Sequence, residues 1–202
     1  MSGGFGLVTF GHGTADRERI LALLGGAAVR LVVDIRIAPG SRRNPHVSRP
    51  ELERWLPGNG IGYRWDKRLG GFRRPAADSP DTAWRQPMFR GYAAHMRTAE
   101  FAAAIDDLRA DMAAAGEAGG ATAVMCSEAA WWRCHRRLVA DHLVLVRHDP
   151  VAHLMHDGRL TPHPPFAAAR VRRDGVLVYD GGQDEAEREA AGREGAGPRP
   201  GE

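Results

Sequence analysis

Short apolar runs alternate with amphipathic stretches along most of this chain. Phe5 to Phe10 is an apolar run that ends at Gly11-His12-Gly13, the punctuation of a strand passing into a loop. Thr14 is placed to cap a helix over Asp16 to Leu24, with Ile20, Leu21, Leu23 and Leu24 on its apolar side and Gly25-Gly26 as its stop. Val29 to Ile37 is rich in β-branched residues and leaves little room for a solvent face, which predicts a buried strand interrupted near its end by Asp34 and Arg36. Prolines and glycine make Ala38 to Pro50 a loop. Pro50 to Leu56 then reads as a short helix with proline in its first turn, and Ile61 to Trp65 as a third strand.

Arg68 to Pro87 has no clear period and is rich in Gly, Pro and Arg, as functional loops of that length tend to be. Helical spacing resumes with Phe89, Tyr92, Ala93 and Met96, and again after Thr98 with Phe101, Ile105, Leu108 and Met112, ending in Gly116 to Gly120. Ala121 to Cys126 predicts a strand and Trp131 to Leu143 a helix, with Cys126 at the turn between them. Val144 to Val146 and Pro150 to Met155 are further strand candidates, and Gly175 to Tyr179 a weaker one.

Strands and helices in alternation predict an α/β fold, three-layer and Rossmann-like, with a largely parallel sheet; residues 1–181 form a single domain on this reading. Gly182 to Glu202 has almost no large apolar residues and is expected to be a disordered tail. In such folds sites form beyond the carboxyl ends of the strands. Those ends are Gly11 to Gly13, Asp34 to Asn44, Asp66 to Gly71 and Cys126 to Glu128, which are the polar, glycine-rich or reactive parts of the sequence.

Composition narrows the class. With 43% hydrophobic and 26% charged residues the chain reads as globular, no run reaches the roughly 18 apolar residues a membrane helix needs, and Met1 to Gly13 lacks the pattern of a secretion signal. A cytoplasmic location without membrane contact is expected, where the two cysteines, Cys126 and Cys134, stay as free thiols. The net charge of +3 raises nucleic acid as a partner, but the 28 basic residues include only one lysine, Lys67, and Arg, Ala and Gly are what GC-rich coding supplies. Oligomeric state is not legible.

The densest polar cluster is Cys126-Ser127-Glu128 followed by Trp131-Trp132-Arg133-Cys134-His135-Arg136. A thiol ahead of a helix N-terminus and near guanidinium groups is suited to nucleophilic work, although Cys126 could equally be a small buried residue closing its strand. Cysteine-loop phosphatases place an arginine six positions after the cysteine, whereas Arg133 follows Cys126 by seven. Cys126, Cys134 and His135, with His12 or His95 as a fourth ligand, have the donor types for zinc. Their spacing fits no common zinc motif, and adjacent positions on a helix diverge by about 100°, so neither metal nor other cofactor is expected. Glu128 is either a helix cap or a general acid or base.

Asp34 and Arg36 form either an internal salt bridge or, with Arg43 and Asn44, a ligand contact; arginine forks suit phosphate and carboxylate. Tyr92 and His95 share a helix face directed at the same region, with a structural role the alternative for His95.

Taken in order, several motifs resemble a known family. These are Thr9-Phe10-Gly11-His12-Gly13-Thr14, Val33-Asp34-Ile35-Arg36 with Ser41-Arg42-Arg43-Asn44-Pro45, Leu69-Gly70-Gly71, Phe89-Arg90-Gly91-Tyr92-Ala93-Ala94-His95-Met96, and Met125-Cys126-Ser127-Glu128 with Trp132-Arg133-Cys134-His135-Arg136 and Asp141. Over about Phe5 to His163 the chain is similar to domain-of-unknown-function family 488. The resemblance implies a prokaryotic cytoplasmic α/β domain and no assigned reaction. Two positions depart from the family pattern, Gly13 where a serine is usual and Trp131 where a proline is usual.

The residues then point to an enzyme acting on an anionic small molecule, of nucleotide or nucleic-acid type. Cys126, Glu128, His135 and His95 are the candidates for chemistry; His12, Asp34, Arg36, Arg43, Asn44, Tyr92, Arg133 and Arg136 are the candidates for binding. The alternative is a nucleic-acid-binding module in which arginines hold phosphates and Trp84, Trp131 or Trp132 stack on bases.

Overall fold

The computed structural model describes residues 5–40, 42–75 and 78–181. Five parallel strands make the sheet: β1 (Leu7–Gly11), β2 (Val29–Asp34), β3 (Gly62–Trp65), β4 (Ala121–Cys126) and β5 (Val151–Leu154). An antiparallel edge strand, β6 (Leu160–Pro162), completes the order β3-β2-β4-β1-β5-β6. From β1 the chain moves to β2 and β3 on one side, returns to β4 in the centre, and crosses β1 to reach β5 on the other. That reversal opens a crevice at the carboxyl ends of β1, β2 and β4.

Alternation along the strands builds three layers. Val8, Phe10, Val32, Ala123 and Met125 face one side, where Ile20, Leu23 and Leu24 of α1 (Arg17–Gly26) and Leu52 and Trp55 of α2 (Arg49–Trp55) cover them. Leu7, Val33 and Val124 face the other, under α3 (Pro87–His95), α4 (Ala99–Glu117) and α5 (Arg136–Leu145). Each face is mainly hydrophobic, so each strand residue is committed to one layer by its parity. A two-stranded ribbon, β7 (Arg170–Val171) with β8 (Leu177–Val178), delivers Leu177 and Tyr179 to the second layer.

Several boundaries differ from the sequence expectation. Asp16 rather than Thr14 caps α1, accepting from Arg19 N at 2.8 Å, and the helix runs through Gly25 and Gly26. β2 stops at Asp34, whose carboxylate accepts the backbone N–H of Arg36 and turns the chain out of the sheet. The helix expected over Trp131 to Leu143 is broken in two: a 3-10 turn at Trp131–Arg133, extended backbone at Cys134, and then α5, which continues through the Val144 and Leu145 expected to start a strand. β6 is exposed and three residues long, too short to signal itself. The long stretch after Arg68 is pinned by the buried Asp81, which takes two hydrogen bonds from Arg97 and one from the backbone of Tyr179. The expectation for the tail from Gly182 lies outside the described residues. No helix among the described residues is long and apolar enough to cross a membrane.

A chain of buried hydrogen bonds runs through the second layer. Arg136 donates to Thr9 Oγ1 at 3.3 Å; Thr9 lies 2.6 Å from His153 Nδ1, His153 Nε2 lies 2.9 Å from His163 Nδ1, and His163 Nε2 lies 2.9 Å from Asp141, which also accepts from Tyr179. The chain is continuous from the guanidinium of Arg136 to the carboxylate of Asp141, so each histidine ring has a partner at both nitrogens. Burial first, then the neighbouring His163 and two arginines, lower the pKa of His153 from 6.5 to about 3. Burial likewise lowers His12 and His142 to about 4.

These three histidines are neutral in the fold but take up protons in the unfolded chain below pH 6.5. Their contribution to stability is therefore complete above 6.5 and is lost as the pH falls toward 4 and 3. Urea unfolding at pH 7.5 and pH 5 should show a loss of about 2 kcal/mol per histidine. An unchanged midpoint would mean that these rings are protonated in the fold.

Candidate active site at the carboxyl ends of the strands

Three loops and one helix meet at the crevice. They enclose a cavity of about 310 Å³ lined by Arg36, Ile37 and Ala38 after β2, Gly71 and Phe72 after β3, Met88 of α3, and Cys126, Ser127, Glu128, Arg133, Cys134 and His135 between β4 and α5. Most of the wall is apolar, and the reactive groups cluster on one side of it.

That side is organised by Arg136. Its side chain is 1% exposed and has no carboxylate partner among the described residues. Instead it donates to the carbonyls of Glu128 and Ala129 and to Thr9, so the loop after β4 must bend round the guanidinium. Gly11 permits this. A Cβ there would lie 1.9 Å from the Glu128 carbonyl oxygen and 2.5 Å from Arg136 Nη2. His12 N and Gly13 N add backbone bonds to Cys126 and Ser127.

The bend returns Cys134 to Cys126. Cys126 Sγ and Cys134 Sγ lie within 4.8 Å of each other, and this contact, with burial, pushes the Cys126 pKa up. The same contact, followed by His135 and the buried charge of Arg136, works against burial and holds Cys134 well below the usual thiol range. Cys134 thus joins Cys126, the thiol singled out by the sequence, on the same wall. His135 stands beside it with Nδ1 3.6 Å from Cys134 Sγ, its ring against Tyr92 at 5.1 Å. Gly71 makes room, since a Cβ there would approach His135 Nδ1 to 2.9 Å.

The other expected site residues divide between the cavity and its supports. Glu128 lines the cavity and one carboxylate oxygen caps the following turn by accepting from Ala130 N at 3.0 Å, which satisfies the cap reading and leaves the second oxygen without a partner among the described residues. Arg133 is exposed at the cavity. Arg36 reaches the cavity wall but is gripped by Asp34 through two hydrogen bonds of 2.8 and 2.5 Å, by the Val47 carbonyl and by His12 at 3.3 Å. Asp34 also accepts from Tyr63, so this is a closed internal network. Tyr92 donates to the Leu69 carbonyl at 2.7 Å and His95 Nε2 bonds the Arg68 carbonyl at 2.6 Å; both hold the turn that precedes Gly70-Gly71, and neither lines the cavity. Asn44 donates to the Gly13 carbonyl, Arg43 is exposed away from the cavity lining, and Ser41 lies outside the described residues. Trp131 stacks on His153 at 3.9 Å and Trp84 is buried among Phe89, Phe166 and Tyr179, so of the three tryptophans only Trp132, 49% exposed, is free to stack on a base.

The family model described as Domain of unknown function DUF488 matches residues 16–143 of the 202. The chain belongs to that family. No curated protein and no solved structure matches it. The DUF488 match takes in all three loops and the helix that line the cavity, from Arg36 to His135. It is shorter than the resemblance read from Phe5 to His163, leaving β1 and its Gly11-His12-Gly13 turn before the matched segment.

The sequence reading set aside a metal at Cys126, Cys134 and His135 in part because it placed Cys134 and His135 on one helix; the extended backbone at Cys134 removes that objection. Ile37, Phe72 and Met88 gave no signal, since apolar residues facing a cleft look like core residues. In this DUF488 chain Arg136→Met should cost about 3 kcal/mol in urea unfolding, because it leaves two carbonyls and a hydroxyl unsatisfied. Arg136→Lys should not restore it, since an ammonium cannot reach all three acceptors. Stability within about 0.5 kcal/mol of wild type for either variant would remove Arg136 from its organising place.

Proposed function

We propose that this DUF488 protein is an enzyme acting on an anionic substrate of nucleotide type in the cavity at the strand ends. The observation that carries the reading is the meeting of two cysteines, an imidazole and a carboxylate oxygen with no partner among the described residues on one wall of a cavity whose remaining wall is apolar. Cys134, Cys126, His135 and Glu128 are the groups for chemistry. Arg133, exposed at the cavity, and the charge of Arg136, which has no carboxylate partner among the described residues, favour a phosphate or carboxylate.

The apolar wall suits a planar base. Phe72 is 85% exposed and has a φ of 59°, a conformation that bulky side chains adopt only under constraint, and it stands beside Ile37, Ala38 and Met88. An aromatic ring held out in this way fits a stacking partner. The reading as a general nucleic-acid module has less support, because two of its three tryptophans are engaged within the fold.

A thermal-shift screen against nucleotides and short oligonucleotides, followed by turnover assays on each hit, tests the proposal. A mononucleotide should stabilise the protein. Arg133→Ala should weaken that binding about tenfold, and Glu128→Gln should leave binding in place while slowing turnover about 100-fold or more. Binding of oligonucleotides alone, steeply weakened by salt and indifferent to both substitutions, would replace the enzyme with a binding module.

A further inference from the structure

We propose that Cys126, Cys134 and His135 bind a thiophilic divalent metal, zinc by the character of the donors, with the fourth coordination position open to the cavity. The two sulfurs and a ring nitrogen all lie within 4.8 Å of one another. In a tetrahedral site with zinc–sulfur bonds near 2.3 Å and zinc–nitrogen bonds near 2.05 Å, the edge between sulfur and nitrogen is about 3.6 Å. The separation of Cys134 Sγ from His135 Nδ1 is 3.6 Å.

Adjacent residues seldom share a metal when both lie in a helix, because their side chains diverge. Here Cys134 has extended backbone (φ -122°, ψ 150°) and His135 opens α5, so the step between them is not helical. The bend round Arg136 supplies what the sequence spacing lacks.

A second observation concerns His135 by itself. The ring is 6% exposed, and among the described residues its one hydrogen-bonding contact is the Cys134 sulfur, at Nδ1, while Nε2 is buried with no partner. A buried imidazole is ordinarily fixed by strong hydrogen bonds, as His153 and His163 are in this same protein. Packing alone gives no reason to bring such a ring to two sulfurs. Coordination through Nδ1, the nitrogen that faces Cys134 Sγ, gives one, and two thiolates with one divalent cation make a neutral group that burial tolerates.

Three protein ligands beside a cavity are the arrangement of a reactive rather than a structural zinc, and no fourth histidine, cysteine or acidic residue joins the cluster among the described residues. A water in the open position becomes acidic near neutral pH. Its proton would pass to the carboxylate of Glu128, which lines the same cavity, leaving hydroxide on the metal. This assignment rests on reading the cavity as the reactive site, and it is tested without turnover so that either can fail alone.

The experiment is metal analysis of the full chain purified under reducing, anaerobic conditions, with Co²⁺ substituted for the native metal. The expected result is about one zinc per chain, and a Co²⁺ form with thiolate charge-transfer absorption and tetrahedral ligand-field bands. Cys126→Ser and Cys134→Ser should each weaken metal binding at least 100-fold, and His135→Gln should alter the ligand-field bands while keeping the charge transfer. Because a serine variant could unfold, the wild-type Co²⁺ spectrum decides independently. Substoichiometric metal with two titratable thiols, a Cys126–Cys134 disulfide under these conditions, or metal retained in the double serine variant would each overturn the proposal. Full metal occupancy with no nucleotide binding would overturn the substrate class alone.

Discussion

A cation buried without a carboxylate partner has to be surrounded by other oxygens, and Arg136 imposes that requirement on the centre of this molecule. Two carbonyls from the loop after β4 and the hydroxyl of Thr9 meet it. The loop is thereby wrapped round the guanidinium, the helix that would have begun at Trp131 is interrupted, and Cys134 returns to the end of its own strand beside Cys126. The same charge favours a thiolate at Cys134. One buried side chain sets both the shape and the electrostatics of the cavity wall.

Around that centre the polar residues separate into supports and reactive groups that line the cavity. Asp34, Arg36, Tyr63 and His12 form a closed network that fixes the turn after β2. Tyr92 and His95 fix the turn after β3 by holding its carbonyls, which carries Gly71 against His135. The chain from Thr9 through His153 and His163 to Asp141 anchors Arg136 from below. Supports of this kind consist of the same residue types as active sites, because both need strong, directional hydrogen bonds. What remains unspent is the second oxygen of Glu128, the thiol pair, His135 and Arg133, and these are the groups that line the cavity.

Much of the fold was legible in the pattern of the chain. β-Branched runs marked β2 and β4, helical spacing marked α3 and α4, and the strand ends pointed to the right loops. Cys126, Glu128 and His135 were recognisable for their chemistry and lie together at the cavity. Arg36 and Arg136 were equally recognisable, but as ligand contacts, whereas their guanidinium groups are largely occupied within the fold. Side-chain type shows that an arginine will seek oxygens; it does not show whether those oxygens belong to a ligand or to the chain.

The sequence by itself determined the alternation of strands and helices, and hence the layered α/β architecture and the edge of the sheet where polar loops gather. It could do so because parity and helical period are local properties, written within a few neighbouring residues. The pairing of Cys134 with Cys126, the break at Cys134 and the orphaned imidazole of His135 were decided only by the tertiary structure. They follow from fitting one guanidinium under a loop and one carbonyl against Gly11, contacts between residues far apart in the chain whose geometry no local pattern records.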